Sequence, residues 1–122
     1  MSKMLKYTFL VHGVVGVIFG ALLLIIPGRF LQGLGWAPID PIISRILGAA
    51  LLALAWSSFR GWQATDRAHI AIVVEMEAVF TVLGCVGLLR HLAFAHYPAT
   101  VWGMFIVLAL FAVAWIASLA KK

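Results

Sequence analysis

The sequence predicts an all-α protein: four transmembrane helices in an up-down-up-down bundle, both termini on the cytoplasmic side, forming a single integral membrane domain over residues 1–122. Three observations carry that expectation. The chain is 65% hydrophobic and only 11% charged, with a mean hydropathy of +1.12, where a soluble domain carries roughly 25% charged residues. So few charges cannot cover a water-facing surface. The apolar residues fall into four runs, each near the ~20 residues that a helix needs to cross ~30 Å of hydrocarbon. The basic residues Lys3, Lys6, Arg29, Arg45, Arg60, Arg67, Arg90, Lys121 and Lys122 mostly punctuate the ends of those runs, where long cationic side chains reach the head groups.

The first span is expected from about Met4 to Ile26, closed by Pro27, Gly28 and Arg29; proline lacks a backbone donor and glycine tolerates positive φ, so the pair ends helices. It is too long for a signal peptide and has no small-x-small cleavage pattern, so it reads as mature structure. The connection "FLQGLGWAPID" places Trp36 at the interfacial belt. Asp40 before Pro41 has the form of an N-cap followed by proline at the first helical position, opening a second span from about Pro41 to Phe59. "RGWQATD" follows, with Asp66 as the cap of a third span from about Arg67 to Leu89. "RHLAFAHYP" then leads to a fourth span from about Ala99 to Ala120.

Orientation follows from the basic residues at the span ends. Lys3, Lys6, Arg60, Arg67, Lys121 and Lys122 fall on the side with both termini, against Arg29, Arg45 and Arg90 on the other. The positive-inside bias therefore predicts cytoplasmic termini, in the inner membrane of a bacterium or archaeon. The net charge of +5 forms no stripe, so the composition argues against nucleic acid as a partner. The single cysteine, Cys85, excludes an internal disulfide and a Cys-rich metal site, and inside a span it reads as a small hydrophobe.

Polar groups within the spans are the candidate functional residues. Glu75 and Glu77 interrupt "HIAIVVEMEAVFTVLGCVGLL". At ~1.5 Å per residue they lie about 12 and 15 Å from Arg67, and His12 of the first span reaches about the depth of Glu75. If the first and third spans touch, depth alone would set His12 against Glu75. Two residues apart on a helix is ~200° of rotation, so the two glutamates face different neighbours, one inside the bundle and one outside it. The spacing leaves open which is which. A carboxyl near the midplane costs several kcal/mol if ionised and unpaired, so each is expected to be protonated or hydrogen-bonded. The structural alternative is a contact to a backbone carbonyl or a serine across the bundle, which serves packing alone.

His12 also has the setting of a haem or pigment ligand, but no second histidine lies at its depth on another span. His69, His91 and His96 fall at span ends or in a connection and read as interfacial. Arg45, about a turn inside the second span, reads as an interfacial anchor that snorkels to the head groups. Gly13, Gly16 and Gly20 of the first span include a GxxxG pair, the spacing that lets helix backbones approach closely. No metal-binding, nucleotide-binding or catalytic-triad pattern occurs, and nothing in the sequence argues for an enzyme.

The stretch "RILGAALLALAW", Arg45 to Trp56, resembles the start of the second span in DoxX-like small four-helix membrane proteins. The resemblance covers about a dozen residues and implies a four-helix bundle with both termini inside. It implies no single activity, since that group includes oxidoreductase-associated subunits. In size and span number the chain is also similar to small multidrug transporters. Their hallmark is a glutamate in the first span, where this chain has His12. Two functional expectations follow. One is a non-enzymatic accessory or assembly subunit of a larger membrane complex, with other membrane subunits or itself as partner. The other is a homodimeric proton-coupled transporter of a small hydrophobic or cationic solute.

Overall fold

A computed structural model describes residues 2–36, 39–94 and 98–120, and of His91 and Phe94 the backbone alone. Lys121, Lys122 and His96, and the side chain of His91, lie outside the described residues. The described residues form five α-helices and a 3-10 turn and contain no strand. Four of the helices are long and apolar enough to cross a membrane.

Helix α1, Lys3–Ile25, is opened by Ser2, whose hydroxyl accepts from the Leu5 amide at 3.2 Å. It ends where Pro27 was expected to end it, but the chain then forms a second helix, α2, Pro27–Gly33. The same residue does both: proline cannot continue α1, yet at the first helical position its missing donor costs nothing and its φ is already helical. Helix α2 closes with Gly35 at φ 79. The Gly35 amide donates to the Gln32 carbonyl and the Trp36 amide to the Leu31 carbonyl, a Schellman closure that a residue with a side chain would strain.

Asp40 caps α3, Pro41–Gln63, by accepting from the amides of Ile42 and Ile43 at 2.8 and 3.3 Å. The helix runs past the expected end at Phe59, because Arg60 to Gln63 hold no proline and Gly61 fits against the Phe9 ring of α1. The third span starts later than expected. Asp66 caps a 3-10 turn, Arg67–His69, and helix α4 spans Ala71–Phe94. Helix α5, Ala99–Ala120, matches the expected fourth span.

The helices form two tight pairs. Helices α1 and α3 meet along a glycine seam in opposite residue order: Phe9 against Gly61, Gly13 against Phe59, Gly16 against Ala55, Gly20 against Gly48 and Leu52. A Cβ on Gly48 would stand 2.6 Å from the Leu24 nitrogen and 2.8 Å from the Gly20 oxygen, so backbone lies directly on backbone there. Helices α4 and α5 form the second pair, again in opposite order, with the Arg67 guanidinium donating to the Ser118 carbonyl at one end and Gly84 against Leu108 further along.

Between the pairs the spacing is wider. No Cα of α1 comes within 8 Å of one of α4, and large side chains fill the gap. Leu5, Phe9, Ile70, Val74, Ala78 and Trp115 make one buried cluster, with the Phe9 and Trp115 rings 5.0 Å apart. The outer faces carry exposed Val14, Ile18, Ile46, Trp56, Leu83 and Val113. Helices apolar on the outside as well as the inside suit lipid rather than water as the surrounding solvent.

Candidate functional site

The polar side chains of three helices meet next to the aromatic cluster. His12 of α1, 7% exposed, lies between Ser58 of α3 and Glu77 of α4, both 0% exposed. His12 Nδ1 and Ser58 Oγ are 2.8 Å apart and share a hydrogen bond. On the other side of the ring, Nε2 stands 3.3 Å from Glu77 Oε2. That is within ion-pair distance, and the Ser58 hydroxyl also stands by the carboxyl, so Glu77 faces two polar neighbours although neither contact has full hydrogen-bond geometry. Helix α5 supplies the walls: Phe111 and Trp115 meet the imidazole edge-on, with ring centroids at 4.8 and 5.5 Å. The Trp115 indole N–H is buried without a partner among the described residues.

Each position has a local cause. His12 falls on the inner face of α1 with Leu5 and Phe9, at four- and three-residue spacing. Glu77 shares the inner face of α4 with Val74, Ala78 and Thr81, in line with Ile70 just before the helix. Thr81 returns its hydroxyl to the Glu77 backbone carbonyl at 2.8 Å and leaves the carboxylate alone.

The expected meeting of His12 with Glu75 is therefore corrected to Glu77. The rotation of α4 turns Glu77 inward and leaves Glu75, about 200° round the helix, on the outer face. Glu75 is exposed on the far side of α4, among exposed Ile72, Met76, Val79 and Val82. Among the described residues it has no ion-pair partner.

The other candidate residues sit elsewhere. Gly13, Gly16 and Gly20 all lie in the α1–α3 seam. Arg45 is exposed, and its guanidinium donates to the Leu24 carbonyl in the last turn of α1 at 3.2 Å, a cation at a helix C-terminus. The Trp36 indole donates to the Thr100 hydroxyl at 3.2 Å, which in turn donates to the Leu34 carbonyl at 2.7 Å, tying the end of α2 to the start of α5. His69 is exposed beside Asp66.

Sequence reasoning missed Ser58, Phe111 and Trp115. A partial signal for Ser58 existed: Thr8, Ser44, Ser58, Thr81 and Ser118 within the long helices are buried, as polar groups in hydrocarbon tend to turn inward, but the neighbouring Ser57 is half-buried and the sequence does not tell the two apart. The aromatic residues carried none, being like their many apolar neighbours.

Among the described residues no three His, Cys, Asp or Glu side chains converge as metal ligands. Haem or pigment ligation through His12 does not fit either. One ring nitrogen is engaged by Ser58 and the other is turned to Glu77, with aromatic rings against the edge. What the arrangement offers is a buried carboxyl beside an imidazole and a hydroxyl, with an indole donor that has no partner among the described residues. Comparison of the chain with protein-family models, with curated proteins and with solved structures returns no match.

Proposed function

We propose that this chain is a non-enzymatic integral membrane protein, an accessory or assembly subunit that packs against another membrane chain through the outer face of α4. The observation that carries this reading is the exposed Glu75 in an apolar helix whose other glutamate is turned inward. A carboxyl facing acyl chains costs several kcal/mol, and a basic or hydrogen-bond-donating group on a neighbouring helix offsets that cost. Exposed Ile72, Val79 and Val82 around it supply an apolar contact. In this reading the four spans run up-down-up-down with both termini cytoplasmic, in a bacterial or archaeal inner membrane. The balance of basic residues and the likeness of Arg45–Trp56 to DoxX-like proteins support that placement.

The test is native mass spectrometry of the protein extracted from its own membrane, beside a Glu75→Leu variant. The expected result is a complex of this chain with other membrane polypeptides, lost in the variant while its thermal unfolding in detergent is unchanged. A bare monomer for both proteins, or a complex indifferent to the substitution, overturns the reading. A homodimer that disappears in Glu75→Leu keeps the docking face and makes the partner a second copy.

A further inference from the structure

The two helix pairs are tighter within than between. In the α1–α3 pair a Cβ on Gly48 would stand 2.8 Å from the Gly20 oxygen, so backbone lies on backbone with no room to slide. Across the gap between the pairs, no Cα of α1 comes within 8 Å of one of α4. A groove of about 580 Å³ also opens between α1 and α5, lined by Met4, Tyr7, Val11, Val107, Leu110 and Phe111. Side chains carry the contacts across the middle of the gap: Phe9 on Trp115, the Phe111 and Trp115 rings on the His12 imidazole, and His12 on Glu77. Helices packed through side chains in this way can shift by small sliding motions.

Among the described residues, His12 and Glu77 are the only buried side chains that ionise, and they face each other across that gap at 3.3 Å. Ser58 of α3 and Phe111 and Trp115 of α5 complete their surroundings and do not titrate. The charged groups of the packed helices are held elsewhere. Arg60 and Arg90 are exposed, Lys3 and Lys6 stand at the start of α1, and Glu75 is on the outer face of α4. The Arg67 and Arg45 guanidinium groups are engaged by the Ser118 and Leu24 carbonyls. Two groups therefore set the charge of the contact. It is net neutral as imidazole beside carboxylic acid or as imidazolium beside carboxylate. One proton more makes it +1, and one fewer makes it −1. Either net charge is costly in a dry apolar setting, and water entering between the halves relieves that cost.

We propose that His12 and Glu77 form a binding site for one exchangeable proton, whose occupancy decides whether the α1–α3 and α4–α5 halves stay in contact. While the pair is net neutral the halves stay closed. Gain or loss of a proton charges the contact, the halves part, and the water admitted between them is the source or the acceptor of that proton. Ser58 holds the imidazole through Nδ1 and so keeps Nε2 on the carboxyl. The site is independent of docking at Glu75, which lies on the opposite face of α4.

The experiment uses the full chain with Cys85→Ala in phosphatidylcholine nanodiscs, spin-labelled at Trp56→Cys on α3 and Leu83→Cys on α4, two exposed positions on different halves. Double electron–electron resonance reads the distance between the halves from about pH 4 to about pH 9, a range that brackets ordinary carboxyl and imidazole titration. One distance is expected in the middle of that range. A second should grow at each end by up to about tenfold per pH unit, the slope of one proton. Glu77→Gln keeps the shape and cannot ionise, so it should lose the alkaline limb and keep the acid one, and His12→Phe should do the reverse. Glu75→Gln should keep both limbs. A native distance distribution that ignores pH at either end, or Glu77→Gln and His12→Phe profiles identical to the native one, shows a packing contact alone and overturns the proposal.

Discussion

His12 Nε2 and Glu77 Oε2 stand 3.3 Å apart although no Cα of one helix comes within 8 Å of a Cα of the other. The contact therefore depends on two long polar side chains reaching across the gap between the helix pairs. With the Phe9–Trp115 ring pair, it is how α1 recognises the α4–α5 half. In hydrocarbon, an interhelical polar contact of this kind contributes about 0.6–2 kcal/mol.

A double-mutant cycle measures that contribution. His12→Phe and Glu77→Gln are each expected to destabilise the bundle by about 1–3 kcal/mol, since either change leaves a buried polar group with fewer partners. The double variant should lose about 1 kcal/mol less than the sum. Reversible unfolding in mixed micelles gives the free energies, and strict additivity would mean that the two side chains are adjacent without interacting.

Within the first pair, backbone separation sets stability. Gly48→Ala places a methyl 2.6 Å from the Leu24 nitrogen, where no flexible side chain can yield, and is expected to cost about 1–3 kcal/mol. A Cβ on Gly87 of α4 meets nothing within 4 Å, so Gly87→Ala should be neutral or stabilising by up to about 1 kcal/mol through helix propensity. Thermal midpoints of the two variants check the contrast. Equal destabilisation would place the cost in helix propensity instead of the seam.

Two arginines close helix ends that belong to other elements. Arg67 donates to the Ser118 carbonyl in the last turn of α5, and Arg45 to the Leu24 carbonyl in the last turn of α1. Last-turn carbonyls have no intrahelical donor. Arg67→Ala and Arg45→Ala should speed amide exchange in those two turns, at a global cost of about 1 kcal/mol or less. Exchange unchanged in either turn would assign that arginine to the head groups alone.

The Trp36–Thr100–Leu34 chain of hydrogen bonds makes a graded prediction. Thr100→Val removes both bonds and Trp36→Phe only one, so protease sensitivity between α2 and α3 should rise more in the first variant than in the second. The same order in reverse would assign the tether to aromatic packing.

Some of this architecture is a local property of the chain. The four spans, the caps at Asp40 and the break at Pro27 were legible because hydrocarbon selects length and apolarity, and because caps and prolines act on neighbouring backbone. The glycine spacing in α1 announced a close approach without saying to which helix. The restart of the chain as α2 and the 3-10 turn at Arg67 were not legible, since proline and a capping aspartate mark where a helix breaks or starts without saying what form the next few residues take.

By itself the sequence determined that four long apolar helices form, where each begins and ends to within a few residues, and that two glutamates on α4 face opposite ways. Only the tertiary structure decided that Glu77 is the inward one, that Ser58 and Glu77 bracket His12, and that an apolar groove ends against their aromatic wall. The reason is physical. Helix α4 is apolar nearly all the way round, so it has no polar face to orient it in lipid. Its rotation is set by which side chains fit against Phe9, His12 and Trp115, and that fit involves residues far apart in the chain.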